Sequence, residues 1–439
     1  MARYLKEVVV PALRVLIYGL INEYTPYGKD VVVSQLFSHT HSFKVLNPSR
    51  KISPHSAVMK IDKLYTYPIK SLRATELDSA TVTKHGFTYD RRFMILKVLE
   101  DGSFKNMAVA GFSEMTLFFT SINIPQDGDA LRGTITVTFK PPTGEQKTLE
   151  VPLKPKTTEL EEFEVVMHHS PTKAYKMDTK YNAWFSACFG FEVVLAYLGD
   201  NLRKVLMSTS GNRQQLGSSN SWLSSITSKA TSLVSGTDNN DAHVTFADCA
   251  PYLIVSDKSM EDVDSRLPAG QQMDITKFRP NIVVSGASEP WEEDFWGELT
   301  FNGSSRIVCE HNCGRCVSIN IDYATGKPGK SEAGTMLKKL SSDRRVDPGT
   351  KYSPCFGRYS FLHPSSEYDE LRVGDEVLVS KVNSEGTRFG KTGTFQTRSA
   401  ATDVLCQTGK GSVPSNNTLS PSLSAMIWPR KIIILPLRA

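Results

Sequence analysis

Alternating apolar and polar positions begin near Ala57. The stretch AVMKIDKLYTYPIKS reads as a strand with a turn set by Pro68. DSATVTKHGFTYDRRFMILKVLEDGSF alternates as two strands joined around His85-Gly86, and the next turn falls at Glu100-Asp-Gly102. MTLFFTSINIP, DALRGTITVTFKPP and QKTLEVPL continue the series. Short strands with Gly, Pro and Asp at their joints predict a β-barrel or sandwich domain over residues 58–160.

The pattern changes after Leu160. NAWFSACFGF starts with helical spacing, since Trp184, Phe185 and Cys188 recur at one and four residues, and the VVLAYL after it reads as a strand. Residues 208–241 are rich in Ser, Asn, Thr and Gly, which predicts a long surface loop or disordered insertion. Order resumes at PYLIVS. SMEDVDSRL predicts a short helix in which Ser259 can cap, Glu261 and Asp262 lie in the first turn, and Met260, Val263 and Leu267 share a face. NIVVSG, ELTFNG, SRIVCE, CVSINID, CFGRYSFL and LRVGDEVLVSKV then read as strands, with a turn at Tyr323-Ala-Thr-Gly326 and a short helix around Met336–Leu340. A second domain over 161–382 follows, and the fold class is mainly β with some helices. Residues 383–439 are polar and turn-rich and read as a disordered tail, whose final apolar run, MIWPRKIIILPLRA, is given no role.

The amino terminus departs from this scheme. Val8 to Ile21 is apolar but broken by Pro11 and Arg14, whereas a membrane span needs about 20 clean residues. Residues 1–57 are read as an extension that packs or lies peripherally, with a degenerate membrane or organelle anchor as the alternative. The protein is placed inside the cell, cytoplasmic or mitochondrial. Seven cysteines in 439 residues are too few for a disulfide scaffold and fit a reducing compartment. A net charge of +5, with no basic tract crossed by aromatics, argues against a nucleic-acid partner and leaves room for a small anionic ligand.

Three of the seven cysteines crowd into Cys309-Glu-His-Asn-Cys313-Gly-Arg-Cys316. Cys313-x2-Cys316 has the spacing of a zinc knuckle, but a closed site draws on a second compact pair, and Cys188, Cys249, Cys355 and Cys406 are all solitary. An iron–sulfur cluster meets the same objection, while a metal-free cluster of core cysteines stays open. Arg315, between two of the thiols, offers a planar donor array suited to phosphate or a fused heterocycle. FRPNIVVSG places Arg279 and Asn281 just before a strand, and Pro68-Ile-Lys70-Ser71 and Asp90-Arg91-Arg92 add cations near other strand ends. Any one of these cations suits a solvated face. Together they suggest an anionic ligand held between two β domains, beside a thiol.

These segments carry a resemblance. KIDKLYTYPIKSL and GFTYDRRFMIL look like the opening of an N-terminal MOSC β-barrel domain. FADCAPYLIVSDKSMEDVDSRL, KFRPNIVVSGASEPWEEDFWGEL, CGRCVSINIDYATG and LRVGDEVLV look like successive parts of the MOSC domain proper. The layout resembles the mitochondrial amidoxime-reducing components and their bacterial homologues, from about Val58 to Val382. The resemblance implies a MOSC-type β-barrel domain packed against an N-terminal β-barrel domain, and a molybdenum cofactor, a phosphate-bearing pterin dithiolene, with a protein thiolate as a further metal ligand. Carried over residue by residue, the thiolate falls on Cys316 and the motif arginine on Arg315. Lys70, Ser71 and Arg91 match positions that hold pterin and phosphate, Arg279 and Asn281 match contacts in the second domain, and Asp248 matches the aspartate of its opening segment.

Two departures stand out. NMAVAGFSEM puts Ala110 and Ser113 where the family commonly has the arginine and proline of Thr-x-Arg-x-x-Pro, and Cys249-Ala250 follows Asp248 where relatives carry small hydroxyl residues. The implied activity is reduction of small N-hydroxylated or other N-oxygenated substrates. No GxGxxG follows a strand and no ferredoxin cysteine pattern appears, so electrons are expected from separate proteins, such as a cytochrome b5-type carrier and its NADH-dependent reductase. The alternatives are a carrier of the cofactor or its sulfur without reductase activity, and a degenerate member without cofactor. The MOSC fold also ends cofactor sulfurases, in which a fused pyridoxal-phosphate domain supplies sulfur; the stretch before Val58 is too short for one.

Overall fold

Strands Tyr252–Ser256 and Ile282–Ser285 are almost wholly buried on both faces, as their unbroken apolar runs require, and they pair in parallel with Ile254 opposite Ile282. Helix Asp257–Ser265 makes the crossover between them. Its buried face carries Met260 and Val263, with Leu267 just beyond. The cap differs from the expectation: Ser256, not Ser259, accepts the Ser259 backbone N–H at 3.1 Å. Ser259 is itself buried and turns its hydroxyl to Glu293, 2.7 Å away. This computed structural model describes residues 58–125, 128–205 and 242–389. The N-terminal extension, the 208–241 insertion and the tail from residue 390 lie outside the described residues.

Those two strands are the middle of an eight-stranded sheet. In spatial order it runs Thr75–Leu77, Lys60–Thr66, Ile282–Ser285, Tyr252–Ser256, Cys355–Leu362, Ser305–Gly314, Trp296–Phe301 and Val377–Val382. The sheet curls without closing. Backbone bonds from Ile61 to Asp375, Gly374 to Ile61 and Val377 to Met59 bring the lead-in of the last strand round to the first strand of the chain. A five-stranded sheet (Glu161–Met167, Ser170–Lys176, Val193–Tyr197, Phe93–Val98, Phe104–Asn106) and several two- and three-stranded sheets complete a mixed α+β fold with a half-barrel at its centre. The CVSINID stretch is not a strand throughout. Strand Ser305–Gly314 runs on through Cys309 and Cys313, and Val317–Asn320 is a 3-10 turn. Chain order also continues past Val382: Phe389 is buried and its N–H reaches Asp347 at 3.0 Å. No helix among the described residues is long and apolar enough to cross a membrane.

The segment Leu64–Leu72 threads three apolar clusters. Leu64 packs with Ile282, Trp296 and Ile307; Tyr65 and Tyr67 pack with Phe278 and Phe356; Ile69 and Leu72 pack with Phe93, Phe118 and Phe185. Each such side chain contributes about 1.5–3 kcal/mol when fully buried. Burial on both sides therefore fixes the backbone of Lys70 and Ser71, which lie between Ile69 and Leu72.

Candidate functional site

Asp90, 1% exposed, organises the site from below. Its Oδ1 accepts the Tyr67 N–H at 2.9 Å, the Thr66 hydroxyl at 3.3 Å and Asn281 Nδ2 at 3.3 Å, while Oδ2 accepts Arg91 Nη1. A carboxylate so surrounded locks the Tyr67 turn to the Arg91 turn. Arg91 then donates to Asn281 Oδ1 at 3.2 Å and to the Arg279 carbonyl at 3.5 Å. Asn281 spends its amide on bracing, since Nδ2 also reaches the Tyr65 carbonyl and Oδ1 also accepts the Leu253 N–H. Arg279 leaves the 3-10 turn Ile275–Phe278 and holds the Leu72 carbonyl at 2.8 Å.

Three of the residues singled out in the sequence share an uncommon backbone. Ser71, Arg91 and Arg279 have φ of 70°, 51° and 56°, in the left-handed region. Such conformations cost side-chain-bearing residues energy and gather where surrounding structure over-determines them, often at sites of function. The Arg279 Nη2 is buried without a hydrogen-bond partner, and burial pushes this guanidinium's pKa down, with Tyr67 opposing the shift. Tyr323 lies beside it.

Lys70 closes another side. Its ammonium bonds the Asp248 carboxylate and the Phe246 carbonyl, the latter at 3.0 Å. Burial pushes the Lys70 pKa down and the Asp248 charge opposes it. Asp248 is half-exposed, so solvent screens part of this pair's strength. Arg203 Nη2 holds the Asp248 carbonyl at 2.8 Å, and His168 Nε2 lies 3.2 Å from its Oδ1. Ser71 Oγ has a long contact to the Met107 carbonyl, 3.5 Å. Arg315 is buried and donates to the Phe356 and Phe278 carbonyls, at 2.9 and 2.7 Å, which ties the thiol strand to the residue before Arg279.

The cluster holds more positive than negative charge. Lys70, Arg91, Arg279 and Arg315 face two carboxylates, Asp90 and Asp248, so four cations are met by two anions. A buried excess of this kind suits an anionic ligand.

The three clustered thiols are not equivalent. Cys309 and Cys313 are 2% and 3% exposed, and burial pushes both pKa values up. Cys316 is half-buried, with Sγ 3.2 Å from Ser318 Oγ, at the strand's end where the 3-10 turn begins. Cys249, beside Asp248, is likewise pushed up, by burial and then by that carboxylate. Among the described residues no group of three or more His, Cys, Asp and Glu side chains is placed to hold a metal ion. Of the departures, Ala110 is exposed, and Ser113 Oγ bonds the Gly326 carbonyl at 2.7 Å, so the 113–117 turn is fastened to the Tyr323–Gly326 turn.

Sequence reasoning passed over Asp90, Tyr67 and His168. Asp90 and Tyr67 carried no chemical signal of their own. His168 could have been found, since EEFEVVM and SPTKAYK flank a two-residue gap, the signature of a tight hairpin.

Comparison with known proteins agrees with this architecture. The MOSC N-terminal beta barrel domain matches residues 58–192 and the MOSC domain matches residues 241–378. The chain belongs to the MOSC-domain proteins that carry the MOSC N-terminal domain, and it is homologous to the mitochondrial amidoxime-reducing components. It is 27% identical to mitochondrial amidoxime reducing component 2 of Bos taurus over 72% of this chain and 82% of that protein. With the Macaca fascicularis protein of the same name it is 38% identical over 30% of this chain and 38% of that one. The crystal structure of the YUAD protein from Bacillus subtilis, at TM-score 0.27 and 9% identity over 73% of this chain and 94% of that one, is too distant to add to the fold.

Proposed function

We propose that this chain is a molybdenum-cofactor-dependent oxidoreductase that reduces N-hydroxylated or N-oxygenated small molecules with electrons from separate carrier proteins. The observation that carries the reading is the buried charge excess around Arg279, whose Nη2 is buried beside Tyr323 with no carboxylate or carbonyl to hold it. An anionic pterin phosphate fits that set, and the left-handed backbones of Ser71, Arg91 and Arg279 are of the kind that gathers at functional sites. Lys70, Ser71, Arg91 and Arg279 would hold the anion, while Asn281 and Arg315 keep Arg91 and the turn before Arg279 in place. Cys316, the most accessible of the three clustered thiols, would be the protein's sulfur ligand, a donor type suited to a metal already bound by sulfur. Bound there, the cofactor supplies oxygen-atom removal, and the protein supplies ligation, orientation and charge.

Electrons would come from a cytochrome b5-type protein and its NADH-dependent reductase, and the relatives' names favour a mitochondrial location. The test is elemental analysis of protein made in a host that synthesises the pterin cofactor. The expected result is molybdenum approaching one atom per chain together with amidoxime reduction by a chemical reductant. Zinc at that stoichiometry without molybdenum would overturn the reading.

A further inference from the structure

His168 and His169 form the whole loop of a hairpin, because Met167 pairs with Ser170 between strands Glu161–Met167 and Ser170–Lys176. Both residues have positive φ, 51° and 60°. A two-residue turn with both central residues left-handed is ordinarily built from Asn-Gly or Asp-Gly. Backbone preference therefore does not explain two histidines here, and His169 points to solvent. The side chain of His168 does have a destination: its Nε2 lies 3.2 Å from Oδ1 of Asp248, the oxygen that also accepts Lys70. With a side-chain exposure of 24%, the ring touches solvent and the cluster at once.

We propose that His168 is the residue through which protons enter the site, passing from its Nε2 to Asp248 Oδ1. The inference rests on the reductase reading. Converting N–OH to N–H breaks the N–O bond, takes up two electrons and two protons and releases one water; the electrons come from the one-electron carriers already invoked. Both protons must reach a cluster whose guanidiniums, on Arg91, Arg279 and Arg315, do not release theirs. A carboxylate only accepts, so the contact requires the proton on Nε2. As that proton passes to Oδ1 and on to the departing oxygen, water protonates Nδ1, so the ring is never left anionic, and exchange with solvent returns it to the Nε2–H form. His168 acts through Asp248 and is a positioning and relay residue.

The experiment uses the cofactor-loaded full chain, with a simple amidoxime as substrate and reduced methyl viologen as electron donor. His168→Asn suits the left-handed turn, so it should fold as well as the parent, while His169→Asn changes the same turn at its exposed position. Both variants should keep their molybdenum. His168→Asn should lower kcat by about 10- to 100-fold with KM unchanged, partly restored by added imidazole. His169→Asn should turn over normally. Independently of turnover, nitrogen-15 NMR of the metal-free chain should show His168 as the Nε2–H tautomer. A loaded His168→Asn variant with full kcat, or an Nδ1–H tautomer, overturns the relay alone. A parent chain that takes up no molybdenum overturns the relay and the reductase reading together.

Discussion

The guanidinium carbons of Arg91 and Arg279 lie 4.5 and 4.2 Å from the centroid of one ring, that of Tyr67. The phenol reaches the Pro280 carbonyl at 3.1 Å, and burial holds it protonated. Two like charges are thus within about 9 Å of each other in the interior. At an effective dielectric of about 20 their repulsion is about 2 kcal/mol, and Asp90 compensates only one of them.

An anion between these arginines relieves that repulsion. Replacing either Arg91 or Arg279 by Ala should therefore lower cofactor occupancy, each removing charge-assisted bonds of about 1.5–3 kcal/mol. Arg92→Ala should matter little to occupancy, because its Nη2 is directed at the Gly199 carbonyl instead. Pterin and molybdenum retained by the three purified, folded variants check this; full occupancy in Arg91→Ala would refute it.

The thiols should separate by burial. Cys316→Ser should abolish amidoxime reduction and metal retention while leaving thermal stability near that of the parent. Cys309→Ser places a hydroxyl in the core beside Trp296, so it should cost about 1–3 kcal/mol of stability yet keep its metal. Metal analysis and chemical denaturation of both variants read the two effects apart, and equal metal loss would indicate shared coordination.

Glu293 gives the fold a pH signature. It is fully buried, accepts Ser259 Oγ at 2.7 Å and Ser256 Oγ at 3.1 Å, and has no partner for Oε1. Burial first, and then the contribution of Asp294, raises its pKa to about 7 from 4.5. The folded state therefore binds more protons than the unfolded state between these values. Its stability contribution is complete below pH 4.5 and is lost as pH rises through 7. The span corresponds to about 3 kcal/mol. Urea denaturation from pH 4.5 to 7.5 should show stability falling. Glu293→Gln should flatten the slope, leaving a residue from Asp294, whose pKa burial also raises.

Gly357 should not tolerate a side chain. Its φ is 80°, and a Cβ would sit 2.7 Å from Val255 Cγ1 and 2.8 Å from the Ile254 carbonyl. That carbonyl belongs to a central strand and cannot withdraw. Gly357→Ala should cost about 2–4 kcal/mol and displace the neighbouring Phe356 carbonyl on which Arg315 rests. Denaturation midpoints measure the first effect, and reduced cofactor retention at a temperature where the variant stays folded measures the second.

Much of this is legible in the sequence. Alternation announced strand Thr134–Phe139, short apolar runs announced Phe93–Val98 and Val193–Tyr197, and the Met260, Val263 and Leu267 spacing announced a helix. Two local readings failed because tertiary partners decided them. VSIN looked like a strand by composition, but the ladder ends at Gly314 and Asn320 turns its side chain to cap the Leu337 N–H. Ser259 looked like a cap, but Glu293, distant in sequence, claims its hydroxyl. At the site, the cations could be picked out by type and position. Their left-handed backbones, the organising role of Asp90 and the reach of His168 could not, since each depends on which distant segments meet.

The curled sheet also dictates an order of events during synthesis. One edge of strand Lys60–Thr66 pairs with nearby Thr75–Leu77, but its other edge waits for Ile282–Ser285. Met59 and Ile61 wait longer still, for residues 374–377. At about 5–20 residues per second, the ribosome takes roughly 10–40 s to deliver the first of these partners. Through that interval Leu64, Tyr65 and Tyr67 lack the neighbours that later bury them, so the nascent chain carries an apolar strand edge that binds chaperones or aggregates. Loops closed over such separations form slowly even once the chain is complete, and substitutions along Lys60–Thr66 should reduce the yield of folded protein more than they reduce its final stability.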